Sequence, residues 1–365
     1  MQSPHKNIML SITVIAMVGV AFGSGYILGS STAPSGTQNT VTVTDMAGRN
    51  VQVPTDVQRV VGIEAGALRL LVYLNATDRV VGVEDIEQQG GKPYNYAYPD
   101  LADRPVIGPI HGGDPELITA VRPDVIFWTY TEAGEADDLQ AQTGIPVVAL
   151  SYGDLDDNRA TFYQALRLTG SILGKQQRAE AVVSYINATI EDLDTRTRNI
   201  SDHDRPSCYI GGIAYRGAHG IVSTEPDYAP FAFVNARNVA SGLAAEHAFV
   251  DIEAIIEWDP HVLFIDEGGS QLVVQDITNR SVLASVEAIR QGRVYGVLPY
   301  NWYTTNYGTV LADAYYIGSV LYPAAFSDIE PVSKANEIYR MLLGSPVYED
   351  MQTAYGGFTQ MHING

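Results

Sequence analysis

The chain shows a regular alternation of two hydrophobic patterns from about residue 59 onward. Short apolar runs have the length and composition of buried strands: RVVGI, RVVGVE, DVIFW and PVVAL, then SCYIGGIA, HVLFID and RVYGV. Stretches with apolar residues at helical spacing separate them. Strands that alternate with helices predict an α/β protein with parallel sheets covered by helices. Ahead of them, VTVTDMAGRNVQVP alternates around Gly48, which predicts a hairpin.

This alternation is interrupted in residues 158–199, which contain no strand-like run and no proline. The apolar residues there follow helical spacing, and they are Ala179, Val182, Val183, Ile186, Ile190 and Leu193. Gly170 and Gly174 mark a break between two helices. The second helix, of about 25 residues, would measure about 37 Å. We therefore predict two Rossmann-like lobes, residues 41–157 and 200–365, joined by one long backbone helix within 158–199, with a ligand cleft between the lobes.

A short unit occurs twice, at an offset of 137 residues. DPELITAVRPDVIFW begins at Asp114 and DIEAIIEWDPHVLFI begins at Asp251, and six of the fifteen positions are identical. In each copy an aspartate at the N-cap position precedes a helix, a proline ends that helix, and a buried strand follows. The repeat predicts two similar lobes in which the copies occupy equivalent places.

The N-terminus contains an uncharged apolar stretch, residues 8–28, which as a helix would span about 30 Å, the thickness of a bilayer core. Lys6 precedes it and no Lys or Arg follows before Arg49, which predicts that the remainder lies outside the cytoplasm. Because cleaved signals usually have shorter apolar regions, we predict that residues 1–29 anchor the chain in the membrane, with a cleaved signal segment as the alternative. Residues 30–40 have the composition of a flexible linker.

The chain is acidic, with 42 Asp+Glu against 22 Lys+Arg and a net charge of −20. Nucleic-acid binding requires a basic surface, so that function is excluded. The single cysteine, Cys208, lies in an apolar run and has no disulfide partner within the chain. The sequence lacks Gly-x-Ser-x-Gly, His-Glu-x-x-His and Cys–His patterns, so we predict a binding protein and not an enzyme. A pair of carboxylates across the cleft, as in glycosidases, is the alternative.

Several of these segments, taken in order, resemble the helical-backbone class of ABC-transporter substrate-binding proteins. The resemblance covers about residues 41–350 and rests on VTVTDMAGRNVQVP, QRVVGI, DRVVGVED, PELITAVRPDVIFW, LGKQQRAEAVV and DIEAIIEWDPHVLFI. It implies an extracytoplasmic component of an ABC importer, which delivers a ligand to a permease dimer with cytoplasmic ATPase subunits. In that class one glutamate on each lobe docks onto arginines of the permease, and the matching positions here are Glu116 and Glu253. The helix macrodipole is the alternative reason for glutamate in a first turn.

The ligands of that class are iron(III)–siderophore complexes, haem, corrinoids such as vitamin B12 and, in some members, bare metal ions or oxyanions. The resemblance is to the iron-complex and corrinoid branch, so it implies an iron(III) chelate or a corrinoid as ligand, without a resident cofactor. An oxyanion such as molybdate or tungstate, haem, and a surface sensor without a transport role are the alternatives.

Ligands of two-lobed α/β proteins bind at loops that follow the carboxyl ends of strands. Aromatic residues in these loops suit a bulky, flat ligand. Arg216 suits an anionic group, with a surface ion pair as the alternative. The predicted ligand contacts are Tyr130, Tyr152, Tyr215, Arg216, His219, Glu267, Trp302, Tyr303 and Tyr307. Only two of seven histidines, His111 and His219, fall in such loops, so a protein-ligated metal ion is not predicted.

Overall fold

A computed structural model describes residues 39–363 of the chain. The predicted membrane anchor and nearly all of the predicted linker lie outside the described residues. The described chain begins with the predicted hairpin, in which β1 (Thr40–Thr44) pairs antiparallel with β2 (Asn50–Pro54). Within residues 39–363, no helix is both long and apolar enough to cross a bilayer.

The first lobe is built on a parallel sheet with the order β3-β4-β5. Its elements are β3 (Val60–Ile63), α1 (Ala67–Tyr73), α2 (Pro93–Ala97), α3 (Pro115–Ala120), β4 (Val125–Thr129), α4 (Ala133–Thr143) and β5 (Val147–Leu150). The strands are apolar except for Thr129, because both faces are covered. Val60 packs in one core with Leu70 of α1, whereas Val61 packs in another with Ile118 of α3 and Leu139 of α4.

The run RVVGVE, which the apolar pattern predicts as a further strand, makes only isolated bridges. Val81 N donates to Val60 O, and Val83 N donates to Pro105 O, both at 3.0 Å. The segment therefore leaves the edge of the sheet after one residue pair. The prediction of a fourth strand here is wrong, because an apolar run alone does not distinguish a strand from a short extended bridge.

Two helices follow the first sheet, α5 (Arg159–Ile172) and α6 (Gln176–Thr197). Gly174 lies between them at φ +66°, a left-handed conformation that glycine adopts without strain. The 22 residues of α6 span about 33 Å. The predicted helix pair is present, and the second helix ends two residues before the predicted limit.

The second lobe is built on a five-stranded sheet with the order β12-β11-β10-β6-β8, parallel except for β12. Its strands are β6 (Ser207–Gly211), β7 (Ser223–Thr224), β8 (Arg237–Asn238), β9 (Ala248–Phe249), β10 (Val262–Asp266), β11 (Val294–Val297) and β12 (Thr359–Gln360). Its helices are α7 (Ala229–Phe233), α8 (Ile252–Trp258), α9 (Ser270–Asn279), α10 (Glu287–Arg290), α11 (Tyr307–Leu321), α12 (Pro331–Leu343) and α13 (Tyr348–Tyr355). β7 and β9 form a separate antiparallel pair.

Both lobes rest on one continuous apolar core. It contains Val148 of the first sheet, Phe264 of the second sheet, Leu166 of α5, Ile186 of α6 and Val310 of α11. The architecture is therefore two α/β lobes joined by the long helix α6 and by a shared helical base, which consists of α5, α6, α11 and α12.

The C-terminal helix α12 belongs to this base. Arg178 of α6 donates from Nε to Tyr73 O in the first lobe at 2.7 Å, and its guanidinium also donates to Met341 O of α12. A C-terminal helix thus packs against the first lobe. The predicted lobe limits, residues 41–157 and 200–365, stay predictions.

The two copies of the repeated unit occupy equivalent places. In each, a short helix (α3 or α8) leads into a strand that is hydrogen-bonded on both sides (β4 or β10). The residue before the proline is left-handed in both copies, at φ +46° for Arg122 and +41° for Asp259, so both lie outside the right-handed α region that proline disfavours for its predecessor. Asp114 accepts two first-turn N–H groups at 2.9 Å, whereas Asp251 holds the N-cap position without a side-chain hydrogen bond.

Candidate ligand-binding site

Loops from the carboxyl ends of the strands meet between the lobes. The hydroxyl of Tyr130, after β4, lies 2.9 Å from Thr304 Oγ1, after β11. Non-glycine residues with left-handed backbone concentrate in these loops: Glu64 (φ +72°), Tyr130 (+53°), Arg216 (+55°), Tyr303 (+48°) and Thr304 (+59°). Such conformations cost about 1–3 kcal/mol each and are frequent at functional sites. They favour the strand-end loops as the ligand site.

A cavity of about 400 Å³ lies at the second-lobe side of this junction. Its volume is within the usual range of ligand pockets, about 300–1,000 Å³. Its lining consists of Ala214, Arg216, Gly217, Ala218, Gly268, Pro299, Asn301, Trp302, Tyr303 and Tyr355. Three of the predicted contacts, Arg216, Trp302 and Tyr303, are therefore brought together on one cavity.

The aromatic side of the cavity is hydrogen-bonded to the first lobe. Trp302 Nε1 donates to Gly90 O at 2.9 Å, and the Tyr355 hydroxyl donates to Gly91 O at 3.0 Å. Gly91 has φ +87°, and a Cβ there would lie 2.8 Å from Trp302 Nε1, so the close approach requires glycine. Sequence reasoning missed Tyr355, because it lies at the end of a C-terminal helix and not in a loop that follows a strand.

Tyr303 is bound to the first lobe through a buried carboxylate. Its hydroxyl donates to Glu84 Oε2 at 2.6 Å. Burial raises the pKa of Glu84, and the hydrogen bonds that this carboxylate accepts from Tyr303 and from backbone N–H groups oppose the rise. Glu84 also accepts the N–H groups of Glu64 (3.0 Å) and Gly112 (3.2 Å). This carboxylate therefore connects three loops at the junction.

Arg216 presents a positive charge on the cavity wall. Arg216 is exposed, and its guanidinium carbon lies 5.5 Å from the centre of the Tyr215 ring. Within residues 39–363 it makes no ion pair with a carboxylate, and the backbone N–H groups of Arg216, Gly217 and Ala218 have no protein acceptor. The surface ion pair that was the alternative for Arg216 is not present in the described chain. The wall can therefore donate several hydrogen bonds to an anion.

An aromatic cluster that includes Tyr215 lies next to Arg216. The Tyr215 ring stacks on His247 with centroids 4.3 Å apart and an interplanar angle of 9°, and Phe249 packs edge-on against His247 at 4.8 Å. His219 lies against Phe249, and its Nε2 is 2.7 Å from Tyr215 O. Burial, and then the nearby His219, lowers the pKa of His247. Sequence reasoning placed His247 outside the cleft loops, because the β7–β9 pairing that brings it here has no local signal.

Two predicted contacts, Tyr152 and Tyr307, lie in the shared core and not on the cavity. Their rings stack with centroids 5.0 Å apart, and the side chains are 2% and 0% exposed. The Tyr307 hydroxyl donates to Gly153 O at 2.8 Å, and the Tyr152 hydroxyl donates to Thr305 O at 2.9 Å. These residues connect the lobes beneath the cleft.

Tyr130 forms the exposed first-lobe rim of the junction, with 59% of its surface accessible. Nearby, His111 Nδ1 lies 2.6 Å from Glu64 Oε1. In the part of the chain that the structure describes, no group of three or more His, Cys, Asp or Glu side chains is arranged to hold a metal ion.

Glu267, another predicted contact, is turned into the second lobe. Its side chain is 6% exposed, and its Oε2 accepts the Gly357 N–H at 2.7 Å. Burial raises the pKa of this carboxyl from 4.5 to about 8, and the Gly357 hydrogen bond opposes the rise. Glu267 lies beyond a strand end, as predicted, but it packs against the C-terminal segment and does not line the cavity.

The buried Glu267 predicts a pH dependence of stability. The folded protein holds this proton between about pH 4.5 and 8 while the unfolded chain releases it, so its contribution is complete below pH 4.5 and is lost as the pH rises through 8. Between pH 5 and pH 8 the native protein is expected to lose roughly 4 kcal/mol of unfolding free energy through this group, and Glu267→Gln is expected to remove that loss. The measurement is urea unfolding at the two pH values. The exposed Glu257→Gln is the matched control. Equal pH dependence in the Glu267 variant and the native protein would contradict the assignment.

The two predicted docking residues are exposed on different lobes. Glu116 lies in the first turn of α3 and Glu253 in the first turn of α8, the helices of the repeated unit. Neither carboxylate accepts a hydrogen bond or forms an ion pair within residues 39–363. Both are therefore available to a partner.

Comparison with known proteins identifies the class of protein. The model of the family described as periplasmic binding protein matches residues 60–300, about two thirds of the chain. The chain therefore belongs to the periplasmic binding protein family, and it is the substrate-binding component of an ABC importer, not an enzyme. Proteins of this kind work with an ABC permease and its ATPase.

Among individual relatives, the molybdate-binding protein MolA of Haemophilus influenzae is 26% identical over 322 residues, which cover 82% of this chain and 89% of MolA. The structure of MolA bound to molybdate superposes with a TM-score of 0.66 at 23% identity, covering 84% of this chain and 98% of that one. A periplasmic solute-binding protein of Veillonella parvula gives a TM-score of 0.70 at 19% identity, covering 87% and 97%. These structures share the fold that the alternation of strands and helices predicts.

Proposed function

We propose that this protein binds an oxyanion of the molybdate type and delivers it to an ABC permease. The observation that carries the proposal is Arg216, an exposed guanidinium on the cavity wall without a carboxylate partner in residues 39–363. In a chain of net charge −20, an anionic ligand requires such a local positive charge. Arginine also offers several N–H donors in a plane that matches the oxygens of an oxyanion.

The similarity to MolA supports the same ligand class, since that protein is named for molybdate and was solved with molybdate bound. The backbone N–H groups of Gly217 and Ala218, on the same cavity, are further donors for an anion. The oxyanion, an alternative in the sequence analysis, is therefore our main proposal. The iron(III) chelate or corrinoid becomes the second candidate.

The second candidate is favoured by the aromatic residues of the cavity. Trp302, Tyr303 and Tyr355 offer flat apolar area, and about 400 Å³ exceeds the space that a five-atom oxyanion needs. Against it, Trp302 Nε1 and the hydroxyls of Tyr303 and Tyr355 are already hydrogen-bonded to the first lobe. Their polar atoms are therefore engaged.

Calorimetric titration of the full-length chain in mild detergent tests the ligand class. Molybdate and tungstate are expected to bind exothermically to one site, because charge-assisted hydrogen bonds dominate the contact. Sulfate and phosphate are the matched anion controls. A ferric catecholate chelate, haem and cyanocobalamin represent the second candidate. Binding of any of these, with no heat from molybdate or tungstate, would replace the oxyanion by the organic complex.

The partner and the location complete the proposal. Glu116 and Glu253 dock onto the permease, supported by their exposure on two lobes and by their place in a repeated unit. The protein works outside the cytoplasm, held at the membrane by residues 1–29, supported by the 21-residue uncharged stretch and by the family. A cleaved signal segment would give the same compartment without the anchor.

A further inference from the structure

Arg69 of α1 is a buried guanidinium that makes no ion pair within residues 39–363. It is 1% exposed. Its Nη1 donates to the Tyr152 hydroxyl at 2.6 Å and to Thr305 O at 2.9 Å, and its Nη2 donates to Trp302 O at 3.2 Å and Tyr303 O at 3.0 Å. Three backbone carbonyls of the second lobe thus converge on one side chain of the first lobe.

A buried charge without a counter-ion is costly, so this arrangement requires compensation. Carbonyl dipoles supply part of it. Two aromatic rings supply more: the guanidinium carbon lies 5.4 Å from the centre of the Tyr94 ring and 5.7 Å from that of Tyr152. A neutral side chain would avoid the cost, so the presence of arginine indicates that the positions of the three carbonyls matter.

The loop that Arg69 holds is strained. Tyr303 and Thr304 both have left-handed backbone, and Thr304 is β-branched, which makes the conformation especially unfavourable. A strained conformation persists only where its surroundings fix it. The side chains of Trp302 and Tyr303 provide outer contacts to the first lobe, while Arg69 fixes the backbone from inside.

We propose that Arg69 is a positioning residue of the ligand cavity. By holding the carbonyls of Trp302, Tyr303 and Thr305, it sets the two aromatic rings that form one wall of the cavity and fastens that wall to the first lobe. Ligand affinity therefore depends on a first-lobe side chain that does not line the cavity. Lysine is a poor replacement, because its three donors lie on one nitrogen, whereas Arg69 donates from two nitrogens of a planar guanidinium to separate sets of acceptors. The effect on ligand affinity rests on the proposed function, whereas the effect on the positions of the Trp302 and Tyr303 rings does not.

The test uses Trp302 as a fluorescent reporter in the wall of the cavity. The chain has three tryptophans, so replacing Trp128 and Trp258 by Phe leaves Trp302 as the only one. In this background we expect Arg69→Lys to shift the Trp302 emission to the red and to raise its quenching by acrylamide at least twofold, with the far-UV circular dichroism unchanged. Tyr152→Phe, which removes a hydroxyl between Arg69 and Thr305, is expected to give a smaller shift in the same direction. This milder variant keeps the test informative if Arg69→Lys does not fold.

Arg178→Lys is the matched control, since Arg178 also donates to backbone carbonyls, of Tyr73 and of Met341, but away from the cavity. It is expected to lower the Tm without moving the Trp302 emission. With molybdate as the probe, Arg69→Lys is expected to weaken binding about 5- to 10-fold, and Arg178→Lys less than twofold.

Unchanged Trp302 emission in both Arg69→Lys and Tyr152→Phe would overturn the proposal, as would equal emission shifts in Arg69→Lys and Arg178→Lys. Failure of the native protein to bind molybdate would contradict the proposed ligand only, since the emission readout needs no ligand.

Discussion

Replacing Glu116 and Glu253 together by alanine is expected to abolish ligand uptake by cells while leaving the affinity of the purified protein within twofold of its native value. Both carboxylates are exposed, unpaired within residues 39–363, and located in first turns on different lobes. Two carboxylates presented by two lobes can contact both halves of a two-fold permease, so each single substitution is expected to reduce uptake and the double one to abolish it. The measurement is uptake of labelled molybdate in a strain that expresses the cognate permease.

The control for this prediction removes the same charge elsewhere. Asp138→Ala with Glu257→Ala takes one exposed carboxylate from each lobe without touching the first turns of α3 and α8. Loss of first-turn glutamates costs about 0.3–1 kcal/mol each through the helix macrodipole, so the Tm is expected to fall only slightly. Equal loss of uptake in the control pair would indicate a general charge effect. A collapse of ligand affinity in the Glu116 and Glu253 variant would place these residues in the cleft.

Elements with a local signal were predictable from the sequence. The connecting helix α6 follows from apolar residues at helical spacing, including Val182, Val183, Ile186 and Leu193, all of which are buried. The repeated unit follows from matching N-cap, proline and strand positions, each within fifteen residues. Arg122 and Asp259 mark the limit of this, because the proline after each disfavours the right-handed α region but does not by itself select the left-handed conformation that both residues adopt.

The cavity was only partly predictable, because strand-end position does not determine where a side chain points. Arg216, Trp302 and Tyr303 line the cavity, whereas Tyr307 is fully buried in the shared core and Glu267 packs against the C-terminal segment. All five follow strands, and tertiary packing decides among them.

No local sequence pattern indicates the role of Arg69. It lies in ALRLLVY, an apolar helix where a single arginine is normally explained by one exposed side. Its acceptors are the Tyr152 hydroxyl and the carbonyls of Trp302, Tyr303 and Thr305, which lie 83 to 236 positions away in the chain. Contacts at such separations carry no local pattern.

The shared base also bears on how the lobes move. Helices α5, α6, α11 and α12 contribute to one apolar core with both sheets, and Arg178 connects α6 to the first lobe and to α12. Separating the lobes widely would expose that core. Ligand capture is therefore expected to depend more on side chains and loops at the junction than on a large rotation of the lobes.

Among those side chains, Arg216 is expected to matter most. Charge-assisted hydrogen bonds contribute about 1.5–3 kcal/mol each, so Arg216→Ala is expected to weaken molybdate binding about 10- to 100-fold, as measured by calorimetry. Alanine is preferred to glycine because it leaves the backbone freedom of this left-handed position nearly unchanged. Arg216→Lys keeps the charge but loses the planar donors, and is expected to recover only part of the affinity.

The exposed Arg340 of α12, which also lacks an ion pair within residues 39–363, provides the matched control. Arg340→Ala makes the same change in net charge, but Arg340 does not line the cavity. It is therefore expected to alter affinity less than twofold. Raising the salt concentration is expected to weaken binding to the native protein more than to Arg216→Ala, because screening acts on the charge that the variant has lost. Native affinity in Arg216→Ala would mean that the anion is held elsewhere, and the cavity would then be assigned to the organic complex that its aromatic residues favour.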